Sequence, residues 1–101
     1  MTNEELYNLL QTTQLDVAYH HFEDKKTPPF LIYENDVPET FKADDIVYSK
    51  TDKFIVYLIT DKKDIEQEKK LEKLFDDNHI PYEKDEDYIE TEKIYQIMYS
   101  I

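Results

Sequence analysis

The chain has 101 residues and a formal net charge of −12, because 24 acidic side chains outnumber 12 basic ones. It contains no Gly and no Cys, which excludes a glycine-rich phosphate loop, disulfides, thiolate catalysis and zinc–cysteine sites. All the basic residues are Lys, so bidentate guanidinium recognition of phosphate is excluded, and the acidic charge disfavours nucleic-acid binding. Nine Tyr and five Phe supply enough apolar surface for one small folded domain, which we assign to residues 1–101.

The apolar segments predict neither a membrane span nor a signal peptide. The longest apolar run, Phe54–Ile59, is far shorter than the about 20 residues of a membrane-spanning helix. Residues 1–5 include two acidic side chains and lack the basic and hydrophobic regions of a signal peptide. We therefore expect no membrane partner, and the lack of Cys is typical of a cytosolic protein.

The first third of the chain predicts a helix and two strands. Thr2 and Glu5 match a capping box, and Leu residues then recur at helical spacing, which predicts a helix over residues 3–13. Apolar and polar residues alternate over 15–22, which is typical of a strand. A polar turn that ends in two prolines then precedes a short strand at 30–33.

The middle of the chain predicts a loop, a hairpin and a second helix. The loop covers residues 35–45, and the hairpin joins the apolar segments 46–48 and 54–59. The second arm of the hairpin is apolar on both faces, so we expect a central strand. Asp64 is the expected cap of a helix over 65–77.

This second helix is expected to bury a stripe formed by Leu71, Leu74 and Phe75. Because the chain has no Gly, we expect Asn78 to take the left-handed conformation that ends the helix. The charged residues of the helix are expected to form its solvated face: Glu66, Glu68, Lys69, Lys70, Glu72 and Lys73.

The last part of the chain predicts two strands. One begins at 82–84 and is followed by an acidic turn at Asp85, Glu86 and Asp87, and the other is the alternating segment 95–101. The predicted fold class is therefore α+β: a single domain with a mainly antiparallel sheet packed by two helices, in the order α-β-β-β-β-α-β-β.

Two clusters of side chains resemble metal sites in composition but not in arrangement. His20 and His21 lie near two acidic residues, but neighbouring residues of a strand point to opposite faces, so we expect the two imidazoles to diverge. The acidic segment 85–87 lacks the glycine and the ligand spacing of a calcium-binding loop. We therefore predict no metal site.

Two tripeptides, Glu23-x-Lys25 and Asp61-x-Lys63, match the acid-x-Lys half of a metal-dependent nuclease site. In a chain with 36% charged residues such tripeptides arise by chance, and catalysis needs a convergent set of groups. We therefore predict that the protein is not an enzyme, with no catalytic residue and no cofactor.

Most of the tyrosines lie on predicted strands, where they pack in the core or on the surface of the sheet. A core of this size cannot bury all fourteen aromatic side chains, and Tyr is enriched at protein interfaces. We therefore expect an exposed, interface-forming subset of aromatic residues. Phe41, in a charged loop, is the strongest single candidate.

Short aromatic, proline-containing and acidic segments follow one another along nearly the whole chain: Val17–Phe22, Pro28–Phe30, Phe41–Tyr48, Tyr57–Asp64, Ile80–Lys84, Tyr88–Lys93 and Tyr95–Gln96. In this order they resemble the tail-terminator group of proteins, also called tail-completion or minor tail proteins, of long-tailed phages and prophages from low-GC Gram-positive bacteria. The shared segments are packing and loop signatures without chemistry of their own. Head–tail joining proteins of similar size are an alternative within the same assembly.

The resemblance implies a structural function in virion assembly. Terminator subunits form a homo-oligomeric ring, commonly of six, which stops polymerisation of the tail tube and docks to the filled head. The implied partners are other copies of this chain, the tail-tube protein and a head-completion or connector protein, while DNA only passes through the lumen. The implied location is the virion tail, assembled in the cytoplasm of the bacterial host.

The resemblance also implies contact residues in the loops. Phe41, Asp44 and Asp45 are the candidates for ring and tube contacts, followed by Pro28 and Pro29.

The acidic charge is compatible with two hypotheses. Carboxylates that line a channel repel the DNA passing through it, so Asp85, Glu86 and Asp87 are candidates for the lumen, with a generic solvated surface as the alternative. The rival function is an acidic DNA mimic that inhibits a host nucleic-acid-binding protein, although interspersed lysines dilute a phosphate-like pattern. Assembly with a tail-tube protein favours the terminator, and salt-sensitive binding to a basic host protein favours the mimic.

Overall fold

The computed structural model describes residues 1–36 and 53–101, which form two helices and five strands. In chain order the elements are α1 Asn3–Gln11, β1 Asp16–Tyr19, β2 Phe30–Asn35, β3 Phe54–Thr60, α2 Ile65–Asp77, β4 Glu83–Ile89 and β5 Ile94–Ser100. The predicted α+β fold class is confirmed, and the described elements follow the predicted order. The additional strand predicted at 46–48 lies outside the described residues, as do Phe41, Asp44 and Asp45.

The five strands form one mixed sheet in the order β1-β2-β3-β5-β4. β1 and β2 are parallel and the other three neighbouring pairs are antiparallel, so the sheet is mainly antiparallel, as predicted. β3 pairs with β2 on one side and with β5 on the other, which confirms its predicted central position. β1 and β4 are the two edge strands.

The capping box at the start of α1 forms as the sequence predicts. The Thr2 hydroxyl oxygen accepts a hydrogen bond from the Glu5 backbone N–H, and the Glu5 carboxylate accepts one from the Thr2 N–H, both at 3.1 Å. The helix ends two residues earlier than predicted. The hydroxyls of Thr12 and Thr13 donate to carbonyls of the last turn, and the chain then turns at Gln14, whose φ is 68°.

α2 spans the predicted residues and is capped by Asp64. The prediction that Asn78 takes the left-handed conformation is wrong, because its φ is −102° and His79, at 57°, takes that role. The Asn78 side chain instead donates to the Leu74 carbonyl at 2.8 Å. Asn78 therefore supplies a hydrogen-bond donor to one of the free carbonyls at the helix end, although its own φ is negative.

β4 runs through the acidic segment that the sequence predicts as a turn. Residues 85–87 pair with residues 96–98 of β5, and the reversal of the chain lies at 90–93, where Lys93 has a φ of 56°. The turn prediction is therefore wrong. At the sheet edge all residues of β4 before Ile89 remain exposed, so the strand forms without burying its charges.

Both described helices pack on the same side of the sheet. Their buried residues join the inward-facing residues of four strands in one cluster: Leu6, Leu10, Val17, Leu31, Tyr33, Phe54, Val56, Leu58, Leu71, Phe75, Ile97 and Tyr99. The predicted buried stripe of α2 is confirmed for Leu71 and Phe75, while Leu74 lies half-buried at the margin of this core.

Candidate functional site

The side of the sheet that faces away from the two described helices is here called the open face. Its central row crosses three strands, with Ile32 opposite Tyr57 and Tyr57 opposite Met98. These three side chains and the nearby Ile55 are half-buried. Their partial exposure makes this face the candidate interaction surface of a chain with a net charge of −12.

One end of the open face is covered by the segment that precedes β2. The ring of Phe22 packs edge-on against Phe30, with centroids 5.3 Å apart, and Ile59, opposite Phe30 in the sheet, is buried. Pro28 and Pro29, predicted as contact residues, directly precede Phe30 and are half-buried. They therefore lie beside the covered end of the open face.

An acidic row borders the open face along β4. Glu83, Asp85 and Asp87 are exposed and stand opposite residues 96–100 of β5, on the same side as Met98. Alternate residues of a strand are about 6.6 Å apart, so the Cα atoms of the three acidic residues are regularly spaced. Among residues 1–36 and 53–101, no ion pair joins any of the three to a lysine.

The opposite side of β4 carries a compact ion cluster that contacts α2. Lys84 Nζ lies 2.8 Å from Glu68 Oε1 and 2.8 Å from Glu72 Oε2, and Lys63 Nζ lies 2.8 Å from Glu68 Oε2. Lys63 also pairs with Glu86. The cluster therefore ties α2 to the edge strand of the sheet.

Two tyrosine hydroxyls that contact the Glu72 carboxylate extend this cluster into the core. The hydroxyl of the fully buried Tyr99 donates to Glu72 Oε2 at 2.7 Å, and the Tyr82 hydroxyl lies 3.4 Å from Glu72 Oε1. Burial alone would raise the pKa of Glu72, but hydrogen bonds from Lys84 and Tyr99 outweigh it and hold the pKa below its usual value. Burial and the same carboxylate raise the pKa of Tyr99. In the cluster two lysines, Lys63 and Lys84, face three carboxylates, so every charge has a partner of opposite sign.

The expectation that Glu68 lies on the solvated face of α2 is wrong, since its exposure is only 3%. The helical spacing already indicates that this position is buried. Glu68 precedes Leu71 by three residues and Phe75 by seven, so the three side chains share one face of the helix. It therefore belongs to the buried stripe. The partners Lys63 and Lys84 lie outside the helix, so helical periodicity alone does not reveal them.

The three carboxylates predicted to face a lumen lie on two different sides of β4. Asp85 and Asp87 belong to the acidic row on the open face, whereas Glu86 points to the side of the helices and pairs with Lys63. Only two of the three can therefore line one surface.

The prediction that the imidazoles of His20 and His21 diverge is wrong. β1 ends at Tyr19, and His20 has a φ of 70°, so the alternation of a strand does not extend to these residues. Their Nδ1 atoms lie 3.2 Å apart. Within the described parts of the chain, no group of three or more His, Cys, Asp or Glu side chains has the arrangement of a metal site.

The tyrosines divide into buried and exposed groups, as expected. Among residues 1–36 and 53–101, Tyr33 and Tyr99 belong to the core, while Tyr7, Tyr19 and Tyr88 are exposed, at 39%, 45% and 47%. Tyr19 packs edge-on against Tyr33 with centroids 5.2 Å apart, so its exposed ring is held in position at the β1 edge.

Comparison of the chain with protein-family models, with curated proteins and with solved structures finds no match. Among the described helices none has the length and apolar character needed to cross a membrane.

Proposed function

We propose that this chain is a tail-terminator-type structural protein of a phage or prophage virion. It assembles as a ring on the end of the tail tube, ends tube polymerisation and presents a surface to the head-completion protein. The sequence resemblance supports the class of protein. The observation that carries the proposal on the structural side is the open face, an apolar sheet surface on the side away from both described helices.

The open face is suited to contact a neighbouring subunit. Complete burial of one aliphatic side chain contributes about 1.5–3 kcal/mol, so covering the half-buried Ile32, Ile55 and Met98 contributes on the order of 1 kcal/mol each. The acidic row at one border disfavours a dimer in which two such rows meet. A contact between the open face and a different surface of the next subunit avoids this repulsion. Such a head-to-tail contact generates a ring when the rotation from one subunit to the next closes.

Light scattering coupled to size-exclusion chromatography tests the proposal, with the chain alone and with the tail-tube protein of the same phage or prophage. We expect a discrete ring-sized species, alone or on the tube protein. The double substitution Ile32→Thr with Met98→Thr, which keeps strand-compatible residues, is expected to reduce the assembled fraction at least tenfold.

Ile65→Thr is the matched control, because Ile65 is 54% exposed at the start of α2 and lies away from the open face. It is expected to assemble like the unmodified chain. A chain that stays monomeric with and without the tube protein contradicts the proposal. So does a double variant that assembles as well as the control.

The acidic row favours a second candidate function, the DNA mimic. Glu83, Asp85 and Asp87 share one side of β4, while Lys84, the lysine within this segment, points to the other side and pairs with Glu68 and Glu72. The lysine therefore does not interrupt the row of carboxylates. A monomeric chain that competes with duplex DNA for a basic bacterial nucleoid protein, less effectively at high salt, favours this candidate.

A further inference from the structure

The turn after β1 brings two neighbouring imidazoles together. The His20 backbone N–H donates to the Tyr33 carbonyl at 2.8 Å, and the His21 N–H donates to the Tyr19 carbonyl at 2.8 Å. With His20 in the left-handed conformation, the two rings stand nearly perpendicular, at 88°, and their Nδ1 atoms lie 3.2 Å apart. The backbone of this turn therefore places the two imidazoles side by side.

The distance between the two Nδ1 atoms matches the spacing of adjacent ligands around a metal ion. Metal–nitrogen bonds of 2.0–2.1 Å place neighbouring ligand nitrogens about 2.9–3.4 Å apart in octahedral or tetrahedral geometry. We propose that His20 and His21 chelate one borderline divalent transition-metal ion, of the class of Zn²⁺ or Ni²⁺, through their Nδ1 atoms. Water fills the remaining ligand positions, because the two side chains are 66% and 65% exposed.

In each imidazole the other ring nitrogen, Nε2, faces a carboxylate. Nε2 of His20 lies 4.0 Å from Glu34 Oε2, and Nε2 of His21 lies 3.9 Å from Glu23 Oε1. The negative charge of the facing carboxylate favours the tautomer that carries the proton on Nε2. Without metal, the 3.2 Å contact between the two Nδ1 atoms is a hydrogen bond, in which one Nδ1–H donates to the other Nδ1. Chelation requires that this proton move to Nε2 of the same ring, which leaves both Nδ1 lone pairs for the metal ion.

The carboxylate that faces His20 is itself held in place. The Tyr57 hydroxyl donates to Glu34 Oε1 at 2.8 Å, which leaves Oε2 directed to the imidazole. Burial and this hydrogen bond raise the pKa of Tyr57 to about 12, so the hydroxyl remains a donor at neutral pH. The histidine pair is therefore supported by a residue of the open face, although the metal site does not depend on the proposed function in assembly.

Isothermal titration of the full chain with ZnCl₂ and NiCl₂ at neutral pH tests the proposal. We expect one ion per chain, and at least tenfold weaker binding by the double variant His20→Asn with His21→Gln. Asn is used at position 20 because it tolerates a positive φ. His79→Asn is the matched control, since His79 is exposed and also has a positive φ, and it is expected to bind like the unmodified chain.

Titration with MgCl₂ distinguishes the pair from the carboxylates, because Mg²⁺ prefers oxygen ligands and is expected to bind equally to all variants. Proton NMR provides a second readout, in which Zn²⁺ shifts the imidazole signals of His20 and His21 and leaves those of His79 unchanged. Absence of Zn²⁺ binding overturns the proposal. Equal Zn²⁺ affinity of the double variant and the unmodified chain also overturns it, because the ion is then held elsewhere.

Discussion

Tyr99 connects the apolar core to the ion cluster through a single hydroxyl group. Replacing it by Phe keeps the buried ring but removes the hydrogen bond to Glu72. A hydrogen bond to a charged group contributes about 1.5–3 kcal/mol, so Tyr99→Phe is expected to lower the free energy of unfolding by that amount, measured by urea denaturation. Tyr95→Phe is the control, because among the described residues its hydroxyl makes no hydrogen bond. Equal loss in both variants contradicts this role of Tyr99.

At the scale of elements, the ion cluster makes the attachment of α2 to β4 dependent on pH. Burial alone would raise the pKa of Glu68, but Lys63 and Lys84 outweigh it, so the pKa lies below the ordinary 4.5, as it does for Glu72. The unfolded chain then binds more protons than the folded protein in this range. The stabilisation is complete above about pH 4.5 and is lost as the pH falls through the lower folded-state pKa values.

Urea denaturation between pH 7 and pH 3 measures this dependence. Glu68→Gln removes one of the two depressed carboxyl groups and is expected to make the unfolding free energy less dependent on pH, while lowering it at pH 7. Glu66→Gln is the matched control on the exposed side of the same helix. If both variants show the same pH dependence of the unfolding free energy, Glu68 does not cause that dependence.

At the scale of the whole molecule, the acidic row leads to a prediction about the affinity of an assembled ring for duplex DNA. If the open-face side of β4 borders the lumen, Asp85→Asn with Asp87→Asn is expected to raise the affinity of the ring for duplex DNA, most clearly at low salt. Glu86→Gln is expected to have no such effect, because Glu86 faces the helices and pairs with Lys63. Fluorescence anisotropy with labelled DNA measures the difference, and equal affinities contradict the lumen position of the row.

The sequence by itself determined the features that depend on neighbouring residues. The capping box of Thr2 and Glu5, the bounds of α2 and the central position of β3 follow from local hydrogen bonds and from the period of the apolar residues. The α+β fold class follows from the order of these elements. An exposed subset of tyrosines follows from the number of aromatic residues alone.

Only the tertiary structure decided the features that depend on residues distant in the chain. Strand pairing, and not local composition, placed residues 85–87 in β4 and put Glu86 on the other side from its neighbours. The packing of α2 against this strand buried Glu68 between two lysines. A single positive φ brought His20 and His21 together. The physical reason is that register, packing and the sign of φ depend on contacts across the sheet, which the period of a single segment does not contain.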